Sequence, residues 1–151
     1  MAAPDDAPGI ASVLSESFAE YRSLYTGEGF AATALTAAQV RERMRQGPTW
    51  VALGDGRIVG TASAVVREGG LYVRGMAILP AARGQRIGEL LLQRIEDFAL
   101  AQGLRRLFLS TTPFLTRAIR LYDSYGFRQS AEGPHDLFGT PLFTMEKQLG
   151  P

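Results

Sequence analysis

Apolar residues recur at helical spacing early in the chain, then give way to alternating and continuous apolar runs typical of strands. In "DDAPGIASVLSESFAEYRSLY", Ile10, Val13, Leu14, Phe18 and Tyr21 share one helical face, and Asp5, Asp6 and Pro8 suit a helix start. "TGEGFAATALT" breaks that pattern at Gly27 and Gly29. Thr36 then caps a second, short helix, "AAQVRERMRQ", which Gly47-Pro48 ends. "TWVALGDGRIVGTASAVVREGGLYVRGMAIL" reads as three strands of an antiparallel meander, turned at 54–56 and 68–70. Gly75, inside an otherwise apolar strand, predicts a bulge or a close backbone approach.

A helix follows over about 87–102, with Ile87, Leu91, Ile95 and Phe98 on one face and Glu89, Gln93, Glu96 and Asp97 off it. "LRRLFLSTT" reads as a buried strand, "FLTRAIRLYDSYGF" as a helix closed by Gly126, and "FRQSAEG" and "PLFTMEKQL" as two last strands. The crossover from 71–79 to 104–111 predicts parallel neighbours in an α+β domain.

Composition narrows the chemistry. A length of 151 residues and a 46% hydrophobic content suit one domain over 1–151. There is no cysteine and one histidine, so thiolate catalysis is excluded and no metal is expected. A net charge of +1 predicts no nucleic acid partner. The start "MAAPDDAPG" lacks signal-peptide character and no apolar run reaches ~18 residues. The expectation is a cytoplasmic protein with no membrane partner. Of the 16 basic residues only Lys147 is lysine, so local arginine placement carries more information than the sum.

The segment "RGQRIG" at 83–88 runs from strand into helix. Such a turn leaves the first helical N–H groups free for an anion, Gly84 and Gly88 permit close approach, and Arg83 and Arg86 add donors. The same six residues also suit a solvated connector. A P-loop is excluded because no Gly-Lys-Ser/Thr occurs, and the glycine spacing does not match a dinucleotide fingerprint.

"GMAILPAARGQRIGELLLQ" followed by "AIRLYDSYGF" resembles the GNAT superfamily of N-acetyltransferases. Its signature is a Gln/Arg-x-x-Gly-x-Gly/Ala turn and, thirty to forty residues on, a Leu-Tyr-x-x-x-Gly-Phe helix end. The resemblance covers nearly the whole chain. It implies a single-domain GNAT-like α+β fold: a mixed, mostly antiparallel sheet with a parallel, splayed strand pair and about four helices. Only 1–4 precede "DDAPGI", so the family's first strand is expected to be short or missing.

The resemblance further implies acetyl-CoA (coenzyme A) as co-substrate, with no metal. It would be held by the main chain of Met76, Ala77 and Ile78 and by the turn of Arg83, Gly84, Gln85, Arg86, Ile87, Gly88 and Glu89. Gly88→Glu is expected to abolish that binding and leave the fold intact. Two positions depart from the family pattern. Arg86 stands where the signature has its middle glycine, and Leu115 stands where many relatives carry an asparagine that contacts the cofactor.

Tyr122 matches the family's general acid, and a phenol with a reference pKa of ~10 suits protonation of a departing thiolate. Helical spacing equally allows Tyr122 to pack in the core with Ala118, Leu121 and Tyr125. Glu68, Glu28 and His135 are the candidate bases. Tyr21, Tyr25, Glu28 and Phe30 are candidates for the wall of an acceptor pocket, and Arg67 and Arg74 suit an acceptor carboxylate. The acceptor would be a small-molecule or peptide amine, and edge strands in the C-terminal half leave room for a homodimer. The alternatives are a catalytically silent acyl-CoA-binding or sensing module of the same fold, and a structural domain without cofactor.

Overall fold

A 3-10 turn over Pro4–Asp6 leads into the first helix, whose cap residue Asp6 makes no side-chain capping bond to that helix. The Ala3 N–H donates to Asp6 Oδ2 at 2.8 Å, and α1 (Ala7–Phe18) follows. The computed structural model describes residues 1–150. α1 is shorter than the apolar spacing implies, because the chain tightens into a 3-10 segment at Ala19–Leu24. The glycine-broken stretch holds a helix the pattern missed, α2 (Gly27–Thr33), capped by Thr26 Oγ1 accepting the Gly29 N–H at 2.9 Å. Gly29 reflects packing: a Cβ there would lie 2.5 Å from Thr140 Oγ1. α3 (Ala37–Gln46) carries the expected cap, with Gln39 N–H to Thr36 Oγ1 at 3.3 Å and Thr36 N–H to Gln39 Oε1 at 2.9 Å.

Among the described residues seven strands form the sheet: β1 (Thr49–Gly54), β2 (Arg57–Arg67), β3 (Gly70–Ile78), β4 (Arg106–Thr111), β5 (Arg128–Gln129), β6 (His135–Leu137) and β7 (Thr140–Gln148). Their order is β1-β2-β3-β4-β7-β5, with β6 paired to β7. β1 to β3 make the expected antiparallel meander. β3 and β4 run parallel, joined through α4 (Ile87–Ala101), and α5 (Thr116–Ser124) precedes β5. Among the described residues there are five α-helices, where about four were expected. "FRQSAEG" supplies only a two-residue edge strand, and β6 arises where no strand was expected.

The sheet has a core on each face. Leu71, Val73, Leu91, Ile95, Leu107 and Phe127 belong to one, and Ile10, Val13, Leu14, Val59 and Ala77 to the other. Strand alternation would put Leu71, Val73 and Ala77 on the same face. Gly75 prevents it. With φ of +64° it forms the expected bulge, and the β2 register jumps from Ser63↔Arg74 to Thr61↔Ala77. Among the described residues no strand precedes α1; the Ala2 N–H donates to Thr49 O at 2.8 Å. No described helix is long and apolar enough to cross a membrane.

Candidate active site

The bulge also opens the sheet. β3 pairs with β4 only from Leu71↔Leu107 to Val73↔Leu109, whereas β4 keeps pairing with β7 as far as Thr111↔Phe143. The stretch 74–78 of β3 therefore turns an unpaired backbone edge toward the gap. A cavity of about 520 Å³ occupies it, bounded by β3, β4, the turn before α4, α5 and the 3-10 segment after α1.

At one end lies the start of α4. Its first internal bond runs from the Leu90 N–H to Arg86 O at 3.2 Å, which leaves the N–H groups of Ile87, Gly88 and Glu89 without helical partners. Gly84 has φ of +84° and open space where a Cβ would stand. Gly88 differs. A Cβ there would meet Leu121 Cδ2 at 2.6 Å and Ile78 Cδ1 at 3.2 Å, so this glycine lets α4 pack against α5. Gly88→Glu therefore also requires the ends of the Leu121 and Ile78 side chains to shift, a demand the expectation for this substitution did not include.

Arg86 is the helix cap and sits in the left-handed region at φ of 62°. The turn demands that conformation, which explains why the family signature has a glycine there. Its guanidinium points out and pairs with Glu89 at 3.1 Å. Arg83 and Arg117, both on the cavity wall, share the Glu20 carboxylate at 2.6 and 3.4 Å. Nine of the ten expected cofactor residues line the cavity; Gln85 is exposed and outside it.

Tyr122 is 7% exposed and lines the cavity, its ring against Phe127 at 5.7 Å between centroids. Burial, with a smaller contribution from Tyr25, pushes its phenol well above the usual range. Leu115, at the start of α5, also lines the cavity. The Thr111 hydroxyl on the opposite strand is buried and has no hydrogen-bond partner among the described residues.

None of the three candidate bases reaches the cavity. Glu28 and Glu68 are exposed elsewhere, and His135 Nε2 lies 3.0 Å from Thr144 Oγ1. Glu89, at the α4 end, is the sole acid on the described wall. Part of the wall is aromatic and basic. Tyr21 and Tyr25 line it, with Phe114 edge-on to Tyr25 at 4.9 Å and Phe30 behind it at 6.2 Å. Arg74 lines it too, but Arg67 does not; it stacks on Tyr72 at 4.4 Å. Its place is taken by Arg43, which sequence reasoning missed. The signal was present, since Arg43 lies three residues after buried Val40, on the inner face of α3.

The Acetyltransferase (GNAT) family model matches residues 11–127. The chain belongs to the GNAT acetyltransferase family. Among curated relatives, the IAA acetyltransferase of Azospirillum brasilense is 43% identical over 102 residues, covering 66% of either chain. The uncharacterized N-acetyltransferase YjgM of Escherichia coli is 30% identical over 81% of this chain and 76% of its own. N-acetylaspartate synthetase of Mus musculus is 33% identical over 66% of this chain, which spans only 34% of that protein. The solved PaiA N-acetyltransferase of Thermoplasma acidophilum, in complex with coenzyme A, superposes with a TM-score of 0.80 at 18% identity, covering 97% of this chain and 95% of its own. That likeness establishes the GNAT fold.

Proposed function

We propose that residues 1–151 act as one N-acetyltransferase domain that carries acetyl from acetyl-CoA to a primary amine. The observation that carries this reading is the unpaired stretch 74–78 of β3, which opens onto a cavity running from the free amino end of α4 to Tyr122. These residues suit coenzyme A. A pyrophosphate fits the free N–H groups at α4 and the guanidiniums of Arg83, Arg86 and Arg117. An arm rich in amides fits the backbone edge of Met76, Ala77 and Ile78, which can bond it as a strand would. When bound, acetyl-CoA supplies an acetyl thioester.

Tyr122 then gives its phenolic proton to the departing sulfur as the C–N bond forms and the C–S bond breaks. It regains a proton, relayed by water, from the nitrogen that the new C–N bond has made acidic. The acceptor ammonium loses its proton to water in the cavity, since no carboxylate stands at that end. Met76, Ala77 and Ile78 orient the arm, and Tyr21 and Tyr25 wall off the acceptor.

One observation favours a second reading, a catalytically silent acyl-CoA-binding module: no acidic base lines the acceptor end. Tyr122→Phe separates the two. We expect kcat to fall by roughly 100-fold while the coenzyme A Kd stays within about twofold, the scale of one general acid. An unchanged kcat would remove Tyr122 from the reaction. Coenzyme A binding by the wild-type chain without thiol release on any amine would establish the silent module.

A further inference from the structure

The partly buried cations of this protein follow a rule with two exceptions. Arg83 pairs with Glu20 at 2.6 Å, Arg106 with Glu132 and Glu146 at 2.7 and 2.8 Å, and Lys147 with Glu96 at 2.8 Å. Arg43 makes neither a hydrogen bond nor an ion pair among the described residues. Arg74 donates only to the neutral Gln46 Oε1, and its Nε is buried without a partner. Both line the cavity, beside the end of the 74–78 stretch away from α4. We propose that the acceptor is a small amine carrying a carboxylate, and that Arg43 and Arg74 bind that carboxylate. This rests on the acetyltransferase reading above and names its substrate class.

The placement supports the role. Gly75 has no side chain, and the Arg43 guanidinium fills the space, with Nη1 2.6 Å from where a Cβ would be. Arg74 is the residue just before it, so one guanidinium comes from α3 and one from β3 on either side of the bulge. Burial, and then Arg74, push the Arg43 guanidinium down to about 10, so it remains a cation at neutral pH. Burying such charges without a counterion is costly, and a carboxylate offsets the cost through charge-assisted, bidentate bonds.

The phosphates of coenzyme A are not the missing anion. They have their own donors at the start of α4, beyond the stretch 74–78. Two guanidiniums also disfavour a nearby ammonium. They ease loss of the acceptor's proton where no acidic base is available, and they repel acceptors with several cationic groups.

The test compares acceptors differing only in that group: a panel of α-amino acids, their α-carboxamides, and linear diamines. The readouts are kcat/KM by thiol release and coenzyme A Kd by calorimetry, on the wild-type chain, Arg43→Met and Arg74→Gln. In the wild type, acids should exceed their amides by roughly 10- to 100-fold and diamines should be the poorest acceptors. In either variant that preference should collapse to a few-fold with the coenzyme A Kd retained. Arg43→Met should melt at or above the wild-type temperature, because it replaces an unpaired buried charge with an apolar chain. Amides or diamines equalling the acids, a preference that survives both variants, or no amino acid acetylated while coenzyme A binds would each overturn the proposal. Absence of coenzyme A binding would instead overturn the acetyltransferase reading beneath it.

Discussion

Arg86 occupies a left-handed position at a helix cap, where an L-residue bears a cost of about 1–2 kcal/mol. Its pair with Glu89 is exposed and returns little. Arg86→Gly should therefore stabilise the chain by about 1 kcal/mol, read as a rise in Tm of about 2–4 °C. Gly88→Glu should do the opposite. Forcing a charged side chain between Ile78 and Leu121 should lower the urea midpoint by the equivalent of about 1–3 kcal/mol or more. Burial holds the Tyr122 phenol protonated beyond its ordinary range. Hence kcat/KM should rise as the acceptor ammonium loses its proton, with no falling limb up to about pH 10. A falling limb near about pH 8 would point to another acid.

Among the elements, the meander, the α4 crossover and α3 were readable because their signals are local: alternation, turn glycines and a capping box. α2 was hidden because its glycines look like breakers, and only the contact with Thr140, far along the chain, explains Gly29. β6 was hidden for a similar reason, since it exists through its pairing with β7. The bulge was readable from Gly75 alone, but not its consequence, that Ala77 changes face and the β3–β4 ladder stops at Val73. Gly75→Ala places an L-residue at φ of +64° and a methyl against Arg43. It should lose about 1–2 kcal/mol in urea unfolding and raise the acceptor KM more than the acetyl-CoA KM.

At the scale of the whole molecule, a net charge of +1 conceals a sorted distribution. Carboxylates partner the cations around the framework, as at Arg106 and Lys147, and among the described residues only Glu89 brings one to the cavity wall. The part of the cavity proposed for coenzyme A was readable from contiguous residues, 76–78 and 83–89. The acceptor end was not, because it combines α3, the 3-10 segment after α1 and β3, and spacing along the chain does not report which of these meet. Arg67 and Arg43 illustrate this, since the first was expected there and the second is found there.

The central claim is that coenzyme A lies in the β3–β4 gap with its phosphates at α4, and amide hydrogen exchange with and without coenzyme A tests it most directly. Protection should appear at 75–78 and at 84–89, where backbone N–H groups gain a partner, with little change in β1 and β6. Binding that leaves both segments unprotected would contradict the account.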